Sequence, residues 1–222
     1  SNTTAKGIIQ ENELQKNNLT LRQSTDLFMS RLSINSNVSF ISQTVYNRPT
    51  SGGYYMNPLV GLYTFPRGKD ITEYRDNYEY FDKSRNMPLQ NWYTSTLDFE
   101  QNPYWIINQN ELTSKTKRIT GGINANYNIT KWWDLTARLG YDQHVTDDYT
   151  YISPGSAVAP LYQNGRLSKN DAEYSFLSTM VMNNFHKKFG DFETHLMVGA
   201  TTEDMNRFTQ NHWGYGFITA GT

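Results

Sequence analysis

Hydrophobic and polar residues alternate with a period of two in several separate stretches, the pattern of strands that keep one apolar and one polar face. From Leu32 the even positions read Leu32, Ile34, Ser36, Val38 and Phe40, against Ser33, Asn35, Asn37 and Ser39. From Ile119 the odd positions read Ile119, Gly121, Ile123, Ala125 and Tyr127, against Thr120, Gly122, Asn124, Asn126 and Asn128. After Thr130-Lys131 the alternation resumes as Trp133, Leu135, Ala137, Leu139 and Tyr141, with Arg138 on the polar side. So short a link predicts an antiparallel hairpin. A second hairpin is predicted around Lys187 to Asp191, leading into Phe192, Thr194, Leu196, Val198 and Ala200 on one face. The strand before it, from about Glu173 to His186, is only partly regular. Tyr174, Phe176, Met180 and Met182 share one parity, and Leu177 and Val181 the other. Asn18 to Phe28 is weaker still, with Leu19, Leu21 and Leu27 in phase.

Connections sharpen this pattern. Those near Met29-Ser30, Thr130-Lys131 and Lys187 to Asp191 are short, while 47–117 and 150–172 are long and rich in Tyr, Pro, Gly and Asn. In an up-and-down meander, alternate connections fall at the same end, so the tight turns share one rim and the long loops the other. Phe28, Tyr127, Trp132, Trp133, Phe185, Phe189 and Phe192 gather beside the short turns, as an interfacial aromatic girdle would. The run from Leu32 to Tyr46 would rise roughly 45–50 Å, taller than an apolar membrane band of about 25 Å even when tilted. Its apolar face accordingly stops at Phe40 and continues as Ser42 and Thr44.

The expected fold is all-β: an antiparallel up-and-down meander of about six strands forming part of a transmembrane β-barrel, with 1–222 as one partial-barrel segment and extracellular loops at about 47–117 and 150–172. Leu32, Ile34, Val38, Phe40, Ile119, Ile123, Leu135, Leu139, Leu196 and Val198 are expected to face lipid. Asn35, Asn37, Asn124, Asn126, Asn128 and Arg138 are expected to face the lumen. A soluble β-sandwich, whose strands also alternate between core and solvent, is the competing architecture.

Composition changes the picture in one respect. The 222 residues carry 20 basic and 21 acidic side chains, so no electrostatic reason points to a nucleic-acid partner. There is no Cys, which excludes disulfides and Cys-based metal sites. A mean hydropathy of -0.70 suits a soluble protein, but a barrel strand averages lipid-facing with lumen-facing residues and reaches similar values. The 23 Asn and 16 Tyr fit polar faces and long structured loops. The chain starts at Ser1 without a basic, apolar leader, which suggests a processed chain or a piece of a larger one.

Catalytic chemistry finds little support. His144, His186, His195 and His212 have no HExxH spacing, and no Gly-x-Ser-x-Gly elbow occurs. Asp147-Asp148 and Glu203-Asp204 read as loop-adjacent, solvated pairs, with a calcium site as the sharper alternative. Gly52-Gly53 and Gly121-Gly122 read as turns or bulges. Neither an enzyme nor a cofactor is expected. Binding chemistry concentrates in 47–117, where Trp92, Tyr93, Tyr104 and Trp105 are candidate contacts for a glycan, a peptide or a partner. Such rings serve equally to build the loop's own small core.

The run Arg31 to Thr44, the segment Gln101 to Gln109, the hairpin Arg118 to Tyr141 and Lys188-Phe189-Gly190-Asp191 leading to Leu196–Gly199 resemble the barrel region of SusC/RagA-type TonB-linked outer-membrane proteins of Bacteroidetes. The resemblance implies a receptor for TonB-dependent transport of glycans or peptides in nutrient uptake. It also implies a SusD-like surface lipoprotein as partner and the cell outer membrane as location. Family barrels have about 22 strands with a plug. The chain lacks the strand number, the plug and the TonB box, and is therefore expected to be an internal fragment of such a barrel, reaching TonB only through parts it does not contain. A soluble glycan-binding module and a surface adhesin or assembly barrel are the alternatives.

Overall fold

The computed structural model describes residues 1–48, 57–94, 100–156 and 163–217. Seven strands form one antiparallel sheet: β1 (Asn2–Lys6), β2 (Glu13–Leu27), β3 (Leu32–Tyr46), β6 (Glu111–Asn128), β7 (Trp133–Ile152), β8 (Arg166–Phe189) and β9 (Phe192–Tyr215). Each pairs with the next in this order, and β1 and β9 remain as unjoined edges, so the sheet is a meander not closed into a barrel. Between β3 and β6 lie helices α1 (Pro58–Thr64) and α2 (Ile71–Asp76), the hairpin β4 (Glu79–Asp82) with β5 (Met87–Gln90), and helix α3 (Pro103–Gln109).

The ladder register puts the apolar sets of the regular strands on the same side. Leu32 pairs with Tyr127, Ile34 with Ala125 and Phe40 with Ile119; on the next ladder Ile123 pairs with Leu139 and Ala125 with Ala137. One row across the sheet therefore reads Thr25, Ile34, Ala125, Ala137, Val181 and Ala200. The register also settles the irregular strand. Leu177 and Val181 lie on this apolar face, and Tyr174, Phe176, Met180 and Met182 on the polar one. A side-chain period of two admits no other assignment once Val181 stands opposite Ala137.

Several expectations are corrected. A strand at Asn2–Lys6 adds a seventh member to the sheet, held by backbone pairing to β2 and not by any apolar alternation. Its connection to β2, residues 7–12, is short yet lies on the rim of the long loops. There Asn12 Nδ2 donates to the carbonyls of Tyr46 and Asn47. Strands run further than their apolar patterns: β6 begins at Glu111, β7 ends at Ile152 and β8 begins at Arg166, which shortens both long loops. Asp147-Asp148 and Glu203-Asp204 thus sit within β7 and β9, and His212 within β9 and not in a tail. Gly121-Gly122 form neither turn nor bulge, since they stay in register opposite Val38-Asn37 and Tyr141-Gly140. Gly52-Gly53 lie outside the described residues.

The turn from β2 to β3 is strained. Phe28, Met29 and Ser30 hold φ of 52°, 56° and 63°, the left-handed region that costs residues with a Cβ about 1–2 kcal/mol each. Ser30→Gly is therefore expected to raise the denaturation midpoint of the complete folded chain, by about 1 kcal/mol of stability. An unchanged or lower midpoint would show that the turn carries no such strain.

Candidate functional site

Two surfaces carry functional potential, and both follow from the sheet. The apolar face is left uncovered by any described element. Ile123 and Val181 are each 47% exposed, and Leu196 and Val198 each 55%. Its apolar rows run from Trp133, Phe185 and Leu196 near the short turns to Leu19, Phe40 and Ile119, a row that meets Gln143 on β7. Trp133 to Gln143 spans roughly 33 Å along the strand at about 3.3 Å per residue, or about 25 Å upright at a 40° tilt. Beyond that height the same face turns charged with Lys115, Lys117, Asp147, Asp171 and Glu173. At the short-turn end Trp132, Trp133 and Phe185 stack with ring centroids 5.7–6.3 Å apart, forming the aromatic cluster expected there.

The polar face is a lattice of short side-chain hydrogen bonds between neighbouring strands. Ser24 Oγ donates to Asn35 Oδ1 (2.7 Å), Thr136 Oγ1 to Asn126 Oδ1 (2.9 Å) and Arg138 Nε to Asn124 Oδ1 (3.1 Å). Arg118 engages both carboxylate oxygens of Asp142, at 2.8 and 2.5 Å. These bonds use only part of each group's capacity and leave amides, hydroxyls and guanidinium N–H groups pointing off the sheet. A depression of about 1000 Å³ lies here, bordered by Arg22, Asn35, Asn37, Asn124 and Arg138, with Gly122 and Gly140 side by side in its floor. All the residues assigned to the polar set share this face: Asn35, Asn37, Asn124, Asn126, Asn128 and Arg138.

The described residues of the loop segment, 57–94 and 100–110, build a small core of their own at the other rim. Trp105 is fully buried and its Nε1 donates to Ser156 Oγ (2.8 Å), tying α3 to the loop after β7. Trp92 is buried among Phe65, Tyr74 and Tyr93, with centroids 5.1–5.3 Å from it. Asn102, also fully buried, caps α3 by accepting from the Tyr104 N–H (2.8 Å) and donates to the carbonyls of Tyr74 (2.8 Å) and Asn91 (2.7 Å). Sequence reasoning found the aromatics here but missed Asn102, whose only signal is its place just before Pro103 at a helix start.

Of the four candidate contacts, Trp92 and Trp105 are thus occupied in packing, whereas Tyr93 and Tyr104 keep part of their surface. Burial, and then the Glu100 carboxylate to which it donates, push the Tyr93 phenol above its ordinary value of 10.0. The protonated phenol is the form the fold favours, so its contribution is complete below that ordinary value and is lost as pH rises through the raised one. Spectroscopic titration at 295 nm, with Tyr93 identified by the signal lost in Tyr93→Phe, is expected to show it ionising late, and Glu100→Gln to bring it earlier. A Tyr93 signal at the ordinary value in both would contradict this. Helices α1 and α3 meet at Gly61, where an added Cβ would sit 2.1 Å from the Gln101 carbonyl oxygen. Gly61→Ala should therefore make the segment 57–110 markedly more sensitive to protease, at a cost of about 1–3 kcal/mol.

Among the described residues no His, Asp and Glu cluster could hold a metal, and no helix is long and apolar enough to cross a membrane. The class these features define is an open wall of an antiparallel meander barrel, with two chemically opposite faces and a folded loop layer at one end. Solved structures are similar to it in fold. A chain of the RagAB peptide importer in its closed-closed state matches with a TM-score of 0.57 and 12% identity, over 93% of this chain and 22% of that one. A second, from a structure of the RagAB peptide transporter, matches with a TM-score of 0.57 and 11% identity, over the same shares. The chain therefore spans about a fifth of the length of these neighbours, and the likeness is one of fold. No family model and no curated protein matches the chain.

Proposed function

We propose that the chain is a wall segment of a TonB-dependent transporter of the outer membrane that imports peptides or glycans with a SusD-like surface lipoprotein. The carrying observation is the segregation of the two faces across the meander, with the apolar one uncovered over a height that fits a bilayer. A sheet exposing such a face in water would aggregate, and one exposing unpaired edges in lipid would leave backbone groups unsatisfied. Both problems are solved if the apolar face meets lipid and further strands close the barrel. The Asn-rich face then lines the lumen, where side chains with spare hydrogen-bonding capacity suit hydrated, polar cargo. The fold it shares with peptide importers supports the same reading. In the loop layer, Trp92 and Trp105 hold the scaffold while Tyr93 and Tyr104 offer ring faces to cargo or to the lipoprotein.

The test is uptake and capture by cells expressing the complete chain. Labelled peptide or glycan pools are expected to enter only when it is present and TonB is functional, and an affinity tag on it should recover a surface lipoprotein. Uptake unchanged by its removal would overturn the transport role. A cooperatively melting, monodisperse monomer without detergent would favour a soluble glycan-binding module, and loop contacts to other proteins without uptake would favour an adhesin.

A further inference from the structure

We infer that the boundary of the apolar face at the long-loop rim holds a specific site for a membrane lipid bearing a phosphate headgroup; this rests on the reading of the sheet as a membrane wall. Across β2, β3 and β6 the face changes character within two rows. Leu19, Phe40 and Ile119 form the last apolar row, and Asn17, Ser42 and Lys117 the next, followed by Gln15, Thr44 and Lys115. Lys115 and Lys117 are both exposed and neither is paired with a carboxylate among the described residues. Asp147 stands opposite Lys115 in the ladder, but its carboxylate is turned to Lys169, whose Nζ lies 3.9 Å from Asp147 and 3.3 Å from Asp171. Glu173, in the row of Lys117, accepts from Gln143 Nε2 at 2.8 Å and is separated from that lysine by Val145 on β7. The acids of this level therefore gather on β7 and β8, and the unpaired cations with hydroxyls and amides on β2, β3 and β6.

A depression of about 680 Å³ joins the two halves, lined by Leu19, Phe40 and Ile119 below and by Asn17, Ser42, Lys117 and Val145 in the next row up. An acyl chain fits the apolar part as it would any barrel exterior. What selects the headgroup is the pair of ammonium groups two residues apart on one strand, beside the Ser42 and Thr44 hydroxyls, which match the charge and the acceptor oxygens of a phosphate. At a membrane surface each such lysine is worth about a fivefold gain for an anionic headgroup.

The experiment uses the complete barrel in detergent micelles, offered dioleoylphosphatidylglycerol or dioleoylphosphatidylcholine, with bound lipid counted by native mass spectrometry. The expected result is retention of phosphatidylglycerol over phosphatidylcholine. That preference should fall about fivefold in Lys117→Gln and about 20–30-fold in Lys115→Gln with Lys117→Gln, while Lys117→Arg and the acid-paired Lys169→Gln keep it. Equal retention of the two lipids by the wild type, or a double variant that keeps the preference, would overturn the site while leaving the membrane wall intact. A chain that remains monodisperse without detergent and takes up neither lipid would overturn the wall reading together with the site.

Discussion

Replacing Ile123 by Arg in the complete barrel is expected to cost about 2–4 kcal/mol of stability in a bilayer, whereas Asn124→Arg one residue away should cost less than about 1 kcal/mol. Ile123 stands opposite Leu139 and Ser36 midway up the apolar band, and nearly half its surface is uncovered by protein. A guanidinium there would be surrounded by hydrocarbon at the depth where the penalty peaks. Asn124 faces the other way, among Asn35 and Arg138, where an added guanidinium stays hydrated and meets only a like-charged neighbour across the ladder. Denaturant unfolding from lipid vesicles reads both. Equal tolerance at the two positions would mean that the apolar face does not meet lipid.

The second large effect is expected at Asn102. Its side chain closes three hydrogen bonds inside the loop layer, to Tyr74, Asn91 and the first turn of α3. Asn102→Ala removes all three and leaves two carbonyls and one N–H of a part-buried layer without these partners, each costing about 1–3 kcal/mol. We expect a loss of about 3–5 kcal/mol, enough to unfold segment 57–110 while the strands stay paired. Limited proteolysis should show new cuts confined to that segment. Asn108→Ala on the exposed side of the same helix removes one hydrogen bond to the Tyr104 carbonyl and should leave the digestion pattern unchanged. Cuts spread over the strands, or none, would contradict the hub role of Asn102.

The barrel wall was legible in the sequence where chemistry differs between its faces. Between Leu32 and Phe40 and between Ile119 and Tyr141, parity alone separated the apolar from the polar set, and the ladders keep that separation. It was illegible where both faces meet the same surroundings. Above Ala200, Thr201 to Asp204 are polar on both parities, so β9 shows no period although β8 supplies its hydrogen bonds up to Tyr215. The strand Asn2–Lys6 was invisible for the same reason, since its pairing depends on β2 and not on its own side chains. In the loop layer the aromatic content signalled a local core, but the choice of which ring turns inward depends on partners distant in sequence. Trp105 bonds to Ser156 across the chain, while Tyr104 beside it stays partly exposed. A single residue's type cannot carry that distinction.

Spin labels read out whether one face of the meander meets lipid and the other water. The chain contains no cysteine, so single cysteines can be introduced at Ile123, Val181 and Val198 on one face and at Asn124, Met182 and Met197 on the other. Nitroxides attached to these in the complete barrel in vesicles are then relaxed by oxygen, which concentrates in lipid, or by a water-soluble nickel chelate. Labels at 123, 181 and 198 are expected to respond to oxygen and to be shielded from the chelate, with the reverse at 124, 182 and 197. The same response at both parities, or the opposite one, would contradict this assignment of the faces.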